Sequence, residues 1–254
     1  MTTPNGVSLG QPTGSAEEPQ FKVAAEELRK LAGPTLPLSF LWEFLLDGRT
    51  PARAVSDAAM RALVPALHGA KPIIELGAGG DYYKHFVPSD QPYITSNLAT
   101  GSDLELDMTN LKLDNCSVDA LVSVFALEHV YDFNAVFAEQ ERVLKPGGRL
   151  LLIVPFLYYY HAAPDDFFRF SASALDKLLS PFDRLVKQPL GNRWLLFSEF
   201  LHEKVVMGSR MGFFARLALR GVALPFLAAG LKSHDPRYAF GFAYLCEKKA
   251  QQCA

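Results

Sequence analysis

Cysteine is scarce in this chain of 254 residues, with only Cys116, Cys246 and Cys253. Their spacing fits no metal-ligand pattern. An odd count, behind a start (Met1-Thr2-Thr3-Pro4) without a basic-then-apolar leader, leads us to expect free thiols in a reducing, cytoplasmic setting. An excess of charge of one sign is also missing. The net charge of −2 sets up no field favouring nucleic acid, so no nucleic-acid partner is expected. Charged residues make up only 20% against 49% hydrophobic, which excludes global disorder and leaves material for one domain with appendages. Internal repeats are absent.

Bulky apolar residues are nearly missing from residues 1–20, which read as a disordered tail. Residues 21–69 read as a helical cap. Phe21, Ala24, Ala25, Leu28 and Leu31 recur at helical spacing until Gly33-Pro34 stops them. A short apolar segment around Trp42 follows, then a helix capped by Ser56 and running to about Leu67. Residues 70–254 alternate strand and helix, the pattern of an α/β fold built on a mostly parallel sheet covered on both faces. Strands are expected near 71–76, 92–97, 118–125, 149–154, 183–188 and 238–247. Helices are expected near 81–87, 132–144 (capped by Asp132) and 172–179 (following Ser171). An apolar insertion at 190–234 interrupts the sheet before its last strand. Residues 213–231 are long enough to cross a bilayer, but Arg216, Arg220 and Pro225 argue against a span. Three roles stay open for the insertion: a helical lid over an apolar substrate, a peripheral membrane contact, and a homodimer interface.

The run Ile73-Ile74-Glu75-Leu76-Gly77-Ala78-Gly79-Gly80-Asp81 reads as a buried strand ending in an acid and a glycine-rich turn. Glycine there lets a ligand lie against bare backbone. Downstream come Asp103-Leu104-Glu105-Leu106-Asp107, Val118-Asp119-Ala120-Leu121-Val122-Ser123, Leu127-Glu128-His129-Val130 and Val143-Leu144-Lys145-Pro146-Gly147-Gly148-Arg149. A second dense segment, 155–170, carries Tyr158-Tyr159-Tyr160-His161 and then Pro164-Asp165-Asp166-Phe167-Phe168-Arg169.

In order and spacing, the motifs between residues 70 and 180 resemble the class I S-adenosylmethionine-dependent methyltransferases, in the broad subgroup acting on small molecules. The resemblance implies a Rossmann-like sheet of seven strands, S-adenosylmethionine as methyl donor and S-adenosylhomocysteine as product. It also implies a small-molecule acceptor, which the apolar insertion leads us to expect to be apolar or aromatic, methylated at oxygen first, then nitrogen, then carbon. By the same resemblance Gly77, Ala78 and Gly79 bring backbone to the methionine and ribose parts, while Glu75 either accepts from the ammonium or only holds the turn. Asn97 stands where the family places the acid that chelates the ribose hydroxyls. Asp107 reaches the adenine amino group and Met108 the ring, or Asp107 is a solvated loop acid. The carbonyls of Phe125 and Ala126 face the ammonium, and Asp119 is structural. His129 is a general base or a loop orienter. The 155–170 segment resembles one branch of the family; we read Tyr158, Tyr159 and Tyr160 as enclosing the methyl-transfer path beside the sulfonium, His161 as a base, and Asp166, three residues from Arg169, as pairing with it to pin the loop.

Two departures bear on rival readings. Asp81 stands where the family carries a third glycine, and Asn97 replaces a carboxylate. A non-catalytic methyltransferase-like subunit or membrane-peripheral scaffold therefore stays open. A nicotinamide site needs glycine at Tyr82 to complete the Gly77-x-Gly79-x-x-Gly spacing, and lacks it. No metal centre is expected, nor catechol-type chemistry dependent on Mg²⁺.

Overall fold

The computed structural model describes residues 19–28, 35–98, 101–162, 164–202, 212–233 and 236–250. Its strands are β1 (Ile73–Leu76), β2 (Tyr93–Asn97), β3 (Leu104–Glu105), β4 (Val118–Val124), β5 (Leu144–Pro155), β6 (Phe182–Leu190) and β7 (Gly241–Lys248). They form one seven-stranded sheet in the order β3-β2-β1-β4-β5-β7-β6. β1 and β4 are buried along their whole length, which is why their sequences are near-continuous apolar runs rather than alternating ones. β1 pairs in parallel with β2 (Ile73 opposite Tyr93) and with β4 (Ile73 opposite Ala120). β7 runs antiparallel between β5 and β6, with Leu151 and Val186 both opposite Leu245. The order reverses between β1 and β4, and open α/β sheets bind ligands at the carboxyl edge of such a switch.

The acidic segment read as a loop contributes the edge strand β3, pairing Ser96 with Leu104. Two residues suffice there because an edge needs only one neighbour. β5 starts earlier than expected. Val118 pairs with Leu144 and Ala120 with Arg149, so the Lys145–Gly148 turn is a bulge inside the strand.

The helices are α1 (Ala25–Leu28), α2 (Phe40–Trp42, continuing as a π turn over Glu43–Asp47), α3 (Pro51–Leu63), α4 (Phe133–Val143), α5 (Ala172–Leu178), α6 (Arg193–Phe200) and α7 (Phe213–Gly230). Asp132 caps α4 as expected, accepting from Ala135 N at 3.1 Å, and Ser171 also caps α5, through Ala174 N at 3.3 Å. The other expected cap is corrected. Thr50 caps α3, with Pro51 at its first turn, while Ser56 lies inside the helix and donates to the Ala52 carbonyl at 2.9 Å. Proline at the first helical position is pre-organised for helix and wastes no donor, so it outranks a later serine.

The N-terminal helices share a continuous apolar core with one face of the sheet: Phe40, Phe44, Met60 and Leu63 pack with Ile73, Val122 and Ile153. The buried Arg149 fastens this layer. It donates to the Val23 and Ala66 carbonyls at 2.9 and 2.8 Å and pairs with Glu247 at 3.0 Å. A second core, with Ile74, Leu121, Leu150 and Phe137, fills the other face under α4 and α5.

The insertion does not form the expected lid among the described residues. α6 and α7 pack on each other and against α3 and α2. Glu199 of α6 accepts from Ala52 N at 2.9 Å, satisfying a donor at the start of α3. Arg220 of α7 donates to the Leu45 and Leu46 carbonyls at 2.9 and 3.1 Å. The insertion thus buttresses the wall of the ligand cleft from behind. Of the expected free thiols, Cys246 is one and is buried, whereas Cys116 is disulfide-bonded. Spacing alone does not report such pairing. Cys253, residues 1–18 and the end of the expected first helix lie outside the described residues.

Candidate active site

Five stretches of chain meet at the carboxyl edge of the sheet around a cleft of about 530 Å³, within the ~300–1,000 Å³ range of small-molecule sites. Gly77, Gly79 and Gly80 come from the turn after β1, Asn97 from the end of β2, and Val124 and Phe125 from the end of β4. His129, Tyr158, Tyr159 and His161 follow from the next two connections. Thr50, Ala52, Arg53 and Ser56 of the α3 start, with Tyr82 and Tyr83, close the remaining side.

The glycine turn has two kinds of position. Gly77 has φ +73°, and a Cβ there would lie 2.5 Å from the Ala126 Cβ. Gly79 meets nothing within 4 Å and faces open space. Gly80, at φ +122°, takes the conformation that Asp81 would resist, so the missing third glycine leaves the turn intact. Ala78 N donates to the Ser96 carbonyl at 2.9 Å, and Asn97 Nδ2 donates to the Ala78 carbonyl at 2.7 Å. An aspartate at position 97 could not make that second bond, since it has no donor. The substitution therefore stitches the β2 end to the turn.

Glu75 is buried behind the turn, where it accepts from the Tyr93 hydroxyl at 2.9 Å. Burial pushes its pKa up to about 7. Asp107 bends back on its own loop, accepting from the Thr109 backbone and hydroxyl at 2.8 and 2.7 Å. Met108 is buried with its sulfur beneath Gly77. Asp107, Met108, Ala126 and Glu75 do not line the cleft. Asp119 has the structural role read from the sequence, accepting from Lys71 N at 2.8 Å and pairing with Lys145 at 2.7 Å.

The 155–170 segment folds over β4's exit. Arg169 pairs with Asp166 through both nitrogens, one contact being 2.6 Å, and donates to the Tyr159 carbonyl at 2.9 Å. That pair holds the Asp166 carboxyl well below the usual carboxylate range. The segment is tied to β4's exit by Phe167 N, which donates to the Glu128 carbonyl at 2.8 Å, and by a bond from His129 to the Asp165 carbonyl. Tyr158 packs on Phe125 with ring centroids 5.7 Å apart. Burial raises the Tyr158 pKa beyond physiological range, so it is a neutral phenol. Tyr160 is exposed and does not line the cleft. His161 stands beside Glu128 (Nε2 to Oε1, 3.4 Å), and this contact raises its pKa.

The sequence reading missed the contribution of α3, and of Arg53 above all. Its guanidinium lies 4.0 Å over the Tyr82 ring and donates to the Tyr83 hydroxyl at 3.1 Å. It also missed Glu128, whose side chain is buried at the cleft's base. The signal for Glu128 was its place between a strand end and a histidine; α3 carried no signal pointing to a ligand.

Sheet order, switch point and glycine turn together define a Rossmann-like class I methyltransferase fold. The family described as "Methyltransferase domain" matches residues 82–152. The ubiquinone/menaquinone biosynthesis C-methyltransferase UbiE of Caulobacter vibrioides is 33% identical over 89 residues, 33% of this chain and 35% of that protein. The match thus spans about a third of that relative's length. Among solved structures, geranyl diphosphate C-methyltransferase of Streptomyces coelicolor A3(2), in complex with Mg²⁺, geranyl diphosphate and S-adenosylhomocysteine, superposes with a TM-score of 0.54. It is 12% identical, with 88% of this chain and 96% of that one covered. An S-adenosylmethionine-dependent methyltransferase of Mesorhizobium loti gives 0.50 at 16% identity, with 80% and 100% covered. The chain thus has the fold of these methyltransferases, with the family match lying on residues 82–152.

Proposed function

We propose that this chain transfers the methyl group of S-adenosylmethionine to a small, apolar or aromatic metabolite, at oxygen before nitrogen or carbon. One observation carries the reading: the turn after β1 and the ends of β2 and β4 line one cleft, with the open Gly79 face and Asn97 among its walls. When bound, the cofactor supplies a methyl group already activated on a sulfonium. The protein's part is then alignment and exclusion of water. The Gly77–Gly79 backbone and Asn97 would hold the methionine and ribose portions. Phe125, Tyr158 and Tyr159 supply the aromatic wall beside the methyl path, where ring faces favour positive charge. An acceptor hydroxyl would lose its proton beside His161 and His129 on the cleft wall.

The apolar acceptor is supported by the ring-rich lining, and by relatives whose names denote methylation of quinone precursors and of geranyl diphosphate. Those relatives act on carbon; the oxygen preference here rests on the tyrosine and histidine shell. The test is methyl transfer from labelled S-adenosylmethionine to matched phenols, amines and carbanion-forming acceptors. Label in a phenol ether supports the reading, and label only in carbon overturns the preference for oxygen.

A peripheral membrane contact is the second part of the proposal. Leu38, Trp42 and Leu46 around α2 are exposed, and so are Phe213, Phe214 and Val222 of the adjoining α7. α7 is long and apolar enough to cross a membrane by length and composition, yet Arg220 is spent on the α2 carbonyls. A helix bound to its own domain on one side and bare on the other suits a lipid surface.

A further inference from the structure

We propose that Glu128, His129 and His161 form a site for one first-row divalent transition-metal ion at the base of the cleft. One ligand atom from each lies within 4.8 Å of the other two. His161 Nε2 is 3.4 Å and His129 Nε2 3.8 Å from the same oxygen, Glu128 Oε1. Ligands around one ion at ~2.0–2.2 Å stand about 3–3.5 Å apart, so closure needs side-chain movements of about an ångström.

The hydrogen-bond pattern is what distinguishes this trio from a chance cluster. The Glu128 side chain is fully buried, and neither of its oxygens accepts a hydrogen bond from the described residues. A buried carboxylate without a donor is costly. Each histidine, meanwhile, has its other nitrogen engaged. Nδ1 of His129 meets the Asp165 carbonyl. Nδ1 of His161 meets the Tyr159 carbonyl at 3.1 Å and Asp166 Oδ2 at 3.3 Å, both nearer than Arg169 Nη2 at 3.4 Å. With carbonyl acceptors at Nδ1, each ring directs its Nε2 toward Glu128 Oε1. Three ligand atoms thus converge on one point beside a buried carboxyl group that has no hydrogen-bond partner among the described residues, and a cation there would satisfy it. Outer-shell acceptors that fix the imidazole tautomer accompany metal-bound histidines almost without exception. Two histidines and one carboxylate with an open side suit iron(II), zinc or their neighbours better than Mg²⁺. The sequence offered no hint, because His161 is separated by a whole helix and strand from the adjacent pair Glu128–His129.

The metal site stands without the methyltransferase reading; its consequence for the acceptor rests on that reading. Both histidines line the cleft. An acceptor hydroxyl bound at the open position would lose its proton to cleft water, because a cation lowers the pKa of a bound oxygen. That oxygen then forms the bond to the methyl carbon as the carbon–sulfur bond breaks, its electron pair passing to sulfur.

The test uses the full chain stripped with EDTA. Zn²⁺ is titrated by calorimetry and Co²⁺ by visible absorption. The expected result is one ion per chain, with His129→Asn and His161→Asn each weakening binding roughly tenfold or more. Circular dichroism confirms that the variants fold, and Glu128→Gln serves as a third arm. Absence of saturable one-to-one binding overturns the proposal, as does binding of equal strength in all variants. S-adenosylhomocysteine titrated into the same samples reports on the methyl-donor reading separately, so the two can fail apart.

Discussion

Gly77 and Gly79 stand two residues apart and meet opposite surroundings, which makes them a matched pair for testing the cleft. Gly77→Ala forces a side chain into the left-handed region and against Ala126, and should destabilise the fold by about 1–3 kcal/mol. Gly79→Ala adds its methyl group to open space, so stability should stay within about 0.5 kcal/mol. Affinity for S-adenosylhomocysteine should nevertheless fall about tenfold, or 1.4 kcal/mol. Chemical denaturation and calorimetry on both variants check this; equal losses of stability would refute the assignment of faces. Glu75 offers a pH test. Its folded-state pKa of about 7 lies above the ordinary 4.5, so the folded chain holds this proton more tightly than the unfolded one. The stability this contributes is full below about pH 4.5 and lost as pH rises through about 7, a change of about 3 kcal/mol. Glu75→Gln should therefore gain stability relative to wild type between pH 5 and pH 8. Parallel denaturation profiles would contradict the burial argument.

The proposed methyl transfer would depend most on the 155–170 segment. It reaches the cleft through Tyr158, Tyr159 and His161 and is pinned by Asp166 and Arg169. Asp166→Asn removes the charge from that pair. Turnover should drop about 10- to 100-fold, since an ångström of misplacement costs that much, while KM for S-adenosylmethionine stays within about threefold. Steady-state kinetics decide it: a change confined to KM would show that the segment holds cofactor instead. This pairing was legible in the sequence because three-residue spacing and opposite charge both pointed to it. The glycine turn and the strand order were legible for a similar reason, as unbroken apolar runs ending in glycine have few alternatives. Other features depend on tertiary contacts that no local pattern records. β3 exists only because Ser96 and Asn97 present an edge to Leu104 and Glu105. Asp107 satisfies its own loop, a competition invisible in spacing. The α3 start became a cleft wall because Glu199, far along the chain, anchors Ala52.

At the scale of the molecule, two apolar layers clamp the sheet, and the cap and insertion extend one of them into a bare apolar face on α2 and α7. If that face meets lipid, the chain should co-sediment with phosphatidylcholine–phosphatidylglycerol vesicles, and Trp42→Glu with Phe214→Glu should abolish it. Retention by the double variant would assign the face to another role. The account as a whole requires that the edge between β1, β2 and β4 hold a nucleoside with a charged tail. Calorimetric titration of the full chain with S-adenosylhomocysteine, alongside NAD, tests that most directly. One-to-one binding of S-adenosylhomocysteine with none of NAD is the predicted result; binding of NAD, or of neither, would contradict it.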